Sequence, residues 1–334
     1  MHTSTRLHGT RRQATAALLA TFAALLLGAA PLAADAQAYP SKPIRFLVPS
    51  PPGGGTDALT RLVAGKLGET LQWSFVIDNR PGAGGNLGMD VAAKAEPDGY
   101  TIVMGESSNL TINPALYRKM PFDPATDLVP VAFVGTVPLV LVVAADSPYT
   151  SLAALTAAGK SRQLTLASSG NGTVGHLVGE TWKRAAGVDA LHVPYKGAGP
   201  VMTDLIGHQV DLHFASLPAG LPLIKSGKLR ALAVTAPQRL ASLPDVPTLI
   251  ESGYRDFDYR VLYGVLAPRG TPPAIVERLH DEIARALQQP DLRAALAARG
   301  VDPQPGSASQ FGAYLDGERR KWAKAVKESG ATVD

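Results

Sequence analysis

An α/β fold of two lobes, each a mostly parallel sheet flanked by helices, is what this sequence predicts, and three observations predict it. From Tyr39 onward, short β-branched runs alternate with Ala/Leu-rich amphipathic segments, the pattern of successive βαβ units. A strand, a loop of Gly, Ser or Asn, and a helix recur in both halves of the chain. With 334 residues, the chain is long enough for two cores of ordinary domain size.

The first residues read as an address label. Arg6, Arg11 and Arg12 give a basic start, "ATAALLATFAALLLGAA" is an apolar run too short and Ala-rich for a comfortable membrane span, and the small residues of "AADAQA" follow. Residues 1–38 are therefore expected to be a cleaved signal peptide, cut after Ala36 or Ala38, that sends the protein to the periplasm. The twin arginine of "TRRQAT" lacks a following Phe-Leu, so the export route stays open.

In order, "IRFLVPS" reads as a strand, "PPGGGTD" as a loop, and Thr56 to about Thr70 as a helix with Leu59, Leu62, Val63 and Leu67 on one face. "FVID" is a second strand, followed by "NRPGAGGNLG" and a helix through "MDVAAKA"; "YTIVMGES" is a third strand. Around "VAFVGTVPLVLVVAADSP" the chain is expected to cross into the second lobe. Its strands are "LTLAS", "LHVPY", "VDLHFAS" and "LRALAVT", and its helices "VGHLVGETWKRAA", "PVMTDLIG" and "AGLPLIKSG". "SLPDVPTLIESGY" reads as a linker, and "YRVLYGVLAP" returns as a strand. Pro272 and Pro273 then open a helix where proline is tolerated, and two more helices, "DLRAALAARG" and "SQFGAYLDGERRKWAKAVKES", end the chain. Lobe 1 thus comprises 39–142 and 259–334, lobe 2 comprises 143–258, and the crossings fall near Val142 and Tyr259.

Composition removes several function classes. The net charge of +4 falls to about +2 once the leader is gone, so nucleic acid is not implied as a partner. There is no cysteine, hence no disulfide frame, thiolate nucleophile or zinc-thiolate site. No G-x-S-x-G, H-E-x-x-H or G-x-x-x-x-G-K occurs, and no nucleophile sits with its base. Gly53, Gly55 and Ala58 with Asp78 match a dinucleotide fingerprint, but "PSPP" separates the strand from the glycines where a tight turn is needed. His208, Asp211 and His213 cluster in "GHQVDLHF", but the strand face shared by Asp211 and His213 lacks an obvious third strong ligand and reads as a surface turn before a satisfied strand end, and His176 and His192 read as hydrogen-bonding or packing residues. Neither a metal nor a cofactor is expected.

The loops point elsewhere. In open α/β sheets ligands bind beyond the carboxyl ends of strands, where helix N-termini offer unpaired N–H groups and partial positive charge. "PPGGGTD", "RPGAGGNLG" and "SSGNGTVG" sit at such ends with few side chains to cover their amides. Charge-assisted hydrogen bonds of roughly 1.5–3 kcal/mol each let three or four amides hold a carboxylate at micromolar affinity. No arginine clamp is then needed, and Arg80 is the only arginine near these loops.

"YPSKPIRFLVPSPPGGGTD", "VIDNRPGAGGNLGMDVAAKAEPDGYTIVMG", "HVPYKGAGPVMTDLIGHQVDLHFAS", "IKSGKLRALAVT" and "LPDVPTLIESG" together resemble the Bug, or TctC-like, family of periplasmic receptors of tripartite tricarboxylate transporters, over nearly all of the chain after the leader. The resemblance implies a non-enzymatic, two-lobed periplasmic-binding-protein fold of the Venus flytrap type (type II), closing on a small carboxylate held by backbone amides and bridging waters. It implies contacts from Pro52, Gly53, Gly54, Gly55, Thr56 and Asp57, with Ser107 and Ser108, in lobe 1. Lobe 2 would contribute Ser169, Asn171 and Thr173, with Lys196, Gly197 and Ser216. A monomer that hands its ligand to TctA/TctB-like membrane subunits is expected; a sensor serving a signalling kinase would use the same site. Here "SPP" stands where the family often has Phe-Ala or Phe-Pro, and "DNRPG" where it has "ENRPG", so ligand identity is not carried over. Asp57 caps the helix start and would repel an anion, so its expected role is to hold a water or meet a cationic or hydroxyl group of the ligand.

Overall fold

The computed structural model describes residues 39–334 other than Pro305, Gly330, Thr332 and Asp334; the expected signal peptide lies outside the described residues. Two units are distinguished, 1–41 and 42–334, and the helices and strands below belong to the second.

Its strands are β1 (Ile44–Val48), β2 (Phe75–Asn79), β3 (Thr101–Glu106), β4 (Leu128–Ala144), β5 (Leu164–Ser168), β6 (Ala190–Pro194), β7 (Leu212–Ser216), β8 (Leu229–Val234) and β9 (Arg260–Pro268). Helices α1 (Gly55–Leu71), α2 (Asn86–Ala93) and α3 (Asn113–Leu116) belong to the first half, and α4 (Leu152–Ser161), α5 (Val174–Ala186), α6 (Ala198–Ile206) and α7 (Leu217–Lys225) to the second. After β9 come α8 (Pro273–Gln288), α9 (Pro290–Ala297) and α10 (Ala308–Ser329).

The strand order is β2-β1-β3-β9-β4-β7-β5-β6, with β8 also on β4. In each half the strands are parallel at the outside, β2-β1-β3 and β6-β5-β7, and antiparallel where β4, β8 and β9 join them. The sheet is mixed because β4 runs through both halves: it pairs with β9 as far as Pro138, then with β7 and β8 from Leu139 and Val140. It also joins two cores, giving Leu128 and Phe133 to the first and Val140 and Val142 to the second. Val142 is therefore embedded in the second core, and the change of partner falls at Pro138 and Leu139. On the return path, the Thr235 hydroxyl donates to Tyr259 O at 2.5 Å just before β9.

Helix faces follow the sequence periodicity. Leu59, Val63 and Leu67 recur every four residues on α1 and are fully buried, while Leu62 is half-buried. Phe311, Leu315, Trp322 and Val326 share one stripe of α10, which packs Phe311 against Phe133 at 4.9 Å and Trp322 near Tyr259 at 5.5 Å. Gly264 of β9 allows the first contact, since a Cβ there would collide with the Phe311 ring. Truncating a fully buried leucine such as Leu67 to alanine would cost about 2–5 kcal/mol.

Candidate functional site

Six strand ends deliver residues to one cavity of about 520 Å³. The loops after β1, β2 and β3 supply Ser50, Pro51 and Gly54–Thr56, Pro81–Gly85 and Ser108; those after β5, β6 and β7 supply Ser169–Asn171 and Thr173–Gly175, Tyr195–Ala198 and Ser216. These are the carboxyl ends of the parallel strands in both halves, where the backbone turns into helix N-termini. The two sides touch: Pro51 lies against Gly197, and Gly172 lies beside Asn113 and Leu116.

On the first side, Gly54 begins α1 with no side-chain cap, and the amides of Gly55 and Thr56 find no acceptor among the described residues. Gly55 brings its backbone close to the opposite wall, since a Cβ there would lie 2.8 Å from the Tyr263 hydroxyl and 3.1 Å from the Ser216 hydroxyl and would have to displace them. Glu106 ends β3 on the cavity wall and accepts a hydrogen bond from Thr56 Oγ1 at 2.7 Å. Burial pushes its carboxyl above the ordinary range, and hydrogen bonds from Thr56 and Ser108 only partly offset this. Tyr263, its register partner on β9, is also raised, first by burial and then by the neighbouring carboxylate.

Asp57 is turned the other way. Its carboxylate accepts from the Gly53 amide at 2.9 Å, from Arg61 at 3.0 Å and from Asn79 at 3.0 Å. Burial opposes its charge, but these donors outweigh burial and hold it below the usual carboxylate value.

On the second side, Thr173 caps α5 by accepting from the His176 amide, and His176 Nδ1 accepts from the Gly172 amide at 3.2 Å. The Val174 and Gly175 amides find no acceptor among the described residues. His176 stacks on His192 at 3.9 Å, and His192 Nε2 meets Ser168 Oγ at 2.7 Å. Burial, with His192 and Lys183 nearby, lowers His176 to about 3, so it stays a neutral acceptor.

Of the residues expected from sequence, Gly54, Gly55, Thr56, Ser108, Ser169, Asn171, Thr173, Lys196, Gly197 and Ser216 line the cavity. Pro52, Gly53, Asp57 and Ser107 lie outside its lining. Pro52 and Gly53 are exposed, Asp57 is engaged as described, and Ser107 Oγ accepts from the Leu262 amide at 2.9 Å. The Pro81–Gly85 loop joins the lining, as its glycines foreshadow, and so do Glu106, Tyr117, Tyr195 and Tyr263. Nothing local in the sequence marks Glu106 or Tyr263, since antiparallel pairing of β3 with β9 brings them together. Lys196 is the one Lys or Arg among the lining residues, and Arg80 instead binds Asp78 at 2.9 Å.

The rival constellations are dispersed. Asp78, the acid of the dinucleotide-like pattern, is taken by Arg45 at 2.6 Å as well as Arg80. His208 meets Asp146 at 2.9 Å, Asp211 meets Arg162 at 2.6 Å, and His213 bonds Ala167 O inside the core. Among the described residues no group of three or more His, Asp or Glu is placed to hold a metal, and no helix is long and apolar enough to cross a membrane.

A two-lobed α/β frame with a cavity lined from both halves is the periplasmic-binding-protein fold. Residues 59–331 match the model of the tripartite tricarboxylate transporter family receptor, and the chain belongs to that family. It is 39% identical to Protein BugT of Bordetella pertussis, over 95% of this chain and 98% of that one. The solved structure of R. palustris Rpa4515 with adipate is 37% identical, with a TM-score of 0.86, covering 88% of this chain and 99% of that one. MatC from Rhodopseudomonas palustris with bound malate is 31% identical, with a TM-score of 0.81, covering 86% and 100%. The family consists of periplasmic receptors and not enzymes.

Proposed function

We propose that this protein captures a small organic carboxylate between its two lobes and presents the closed form to TctA/TctB-like membrane subunits of a tripartite transporter. The observation that carries the reading is the lining of the cavity: helix N-termini and hydroxyls from both halves, with a single lysine for a cation. The amides of Gly55, Thr56, Val174 and Gly175 would grip the anion, helped by Ser108, Ser169 and Ser216 and by bridging waters. A volume of about 520 Å³ suits a small acid. The relatives solved with adipate and malate support the ligand class. Pro52, Gly53, Asp57 and Ser107 act in this reading as scaffold.

Closure would bend the chain where β4 changes partners, at Pro138 and Leu139, and along the return from Thr235 to Tyr259. The ligand favours the closed form by the contacts it gains only there. Export would proceed through the basic, apolar leader of residues 1–38. A thermal-shift screen of organic acids on protein refolded to strip copurified ligand tests the reading. At least one carboxylate is expected to raise Tm while NAD does not. No response to any acid would overturn it.

A further inference from the structure

Within this receptor reading, on which the inference rests, one lining residue is out of character. A site built to attract an anion carries a carboxyl, Glu106, on its wall. Its position is fixed rather than incidental: its amide donates to Asn109 Oδ1 at 3.1 Å, its carboxyl accepts from Thr56 Oγ1 at 2.7 Å, and Ser108 adds a second hydroxyl. Among the described residues no Lys, Arg or His forms an ion pair with it. Asp57, which follows Thr56 on α1, is paired with Arg61 at 3.0 Å.

The other titratable groups on this cavity are Tyr263 from β9, Tyr117 beyond α3, and Tyr195 and Lys196 after β6. All three tyrosines are raised, first by burial, and remain uncharged in neutral solution. His176 and His213, which underlie the second side, are held neutral by burial. No cation is paired with the Glu106 carboxyl, the cavity's one lysine, Lys196, being exposed on the loop after β6, and an ionised form would face an incoming anion. Protonated, the same group becomes a donor, and the conflict turns into a hydrogen bond.

We propose that Glu106 is a specificity-determining residue that meets the ligand as a neutral carboxylic acid and donates a hydrogen bond to a carboxylate oxygen. The ligand class this selects is an acid whose carboxylate shares one proton with Glu106, rather than an amine-bearing acid that would need its anion. Because the protonated form binds, affinity is highest in acid. It falls as pH rises through the raised pKa of Glu106, by up to about tenfold per pH unit.

The test is titration calorimetry of the ligand-stripped protein with malate, adipate and glutamate from pH 5.5 to 8.5, in buffers of differing ionisation enthalpy. The wild type is expected to bind malate or adipate more weakly with each step up in pH and to take up a proton at the alkaline end. Glu106→Gln, which retains a donor but cannot titrate, should bind up to about threefold more weakly at pH 5.5 and no longer respond to pH. Thr56→Val removes a bond that favours the charged form, and should move the wild-type midpoint to higher pH. A wild-type affinity that is flat with pH, or a pH response surviving in Glu106→Gln, overturns the proposal. So does selective binding of glutamate that Glu106→Gln abolishes, because the carboxylate would then be an anion pairing with an ammonium. No binding of any of the three acids at any pH, together with no response in the wider thermal-shift screen, removes the receptor reading and this inference with it.

Discussion

The loops that open α1 and α5 solve one problem in two ways. In each, an outer glycine donates its amide to a side chain four residues on, Gly53 to the Asp57 carboxylate and Gly172 to the His176 imidazole. The next amides, those of Gly55 and Thr56 in one and of Val174 and Gly175 in the other, are thereby left for the cavity. The chemistry of the two supports is opposite. Asp57 works as an anion braced by Arg61 and Asn79, and His176 as a neutral ring stacked on His192. Part of each glycine loop is thus consumed by its own fold, and the unpaired amides on the cavity belong to the first helical turn.

The largest difference is expected at the inner glycines. A Cβ on Gly175 would lie 2.5 Å from the Phe214 carbonyl, which is backbone and cannot swing away, so Gly175→Ala should lose about 3 kcal/mol of stability in urea unfolding. A Cβ on Gly55 meets two side-chain hydroxyls, which can move. Gly55→Ala should fold with under about 1 kcal/mol of loss but bind its carboxylate about thirtyfold more weakly. Equal stability losses in the two variants would break the comparison.

Next come the supports. Asp57→Ala strands the Gly53 amide and leaves the Asn79 amide with Ser50 O as its one remaining acceptor, and should cost about 1–2 kcal/mol in the same assay while leaving ligand preference unchanged. A change in preference would return Asp57 to the site.

Acid separates the two sides. His176 and His213 have folded pKa values lowered to about 3 and about 4, so the unfolded chain binds protons before the fold does. Their contribution is complete above the ordinary histidine value of about 6.5 and is lost as pH falls from there toward the folded values. Asp57 is also lowered, and its contribution lasts until pH falls below the ordinary carboxylate range. Between pH 7 and 4.5, burial of one such histidine should cost roughly 2–3 kcal/mol. Amides of α5 should therefore lose hydrogen-exchange protection before those of α1. Simultaneous loss would remove the distinction.

The smallest effect is expected from Lys196, which is exposed at the rim. Lys196→Ala should weaken binding only about two- to threefold, and less at high salt. A loss of tenfold or more would mean that a cation grips the ligand.

Legibility in the sequence tracked locality. α5 runs from Val174 to Ala186, as its periodicity predicts, because Thr173 caps it and Gly187, at φ 62°, stops it. The strand "LTLAS" likewise matches β5. β4 was legible only as a crossing: Pro130 and Pro138 make one continuous strand look interrupted, and Pro130 is accommodated where the register with β9 shifts. α4, short and Ala-rich, was not read from the sequence, although Ser151 caps it by accepting from the Ala154 amide at 3.1 Å. The glycine side of the cavity was visible from sequence, whereas Glu106 and Tyr263 were not. Their meeting depends on β9 returning beside β3, a long-range choice of partner that no local pattern encodes.

Backbone nitrogens from both halves are to grip the anion, and a crystal structure of the protein with a bound carboxylate tests this most directly. The expected result places carboxylate oxygens within hydrogen-bonding distance, direct or through one water, of the Gly55 or Thr56 amide on one side and the Val174 or Gly175 amide on the other. A carboxylate held by Lys196 alone, or seated outside this cavity, would contradict it.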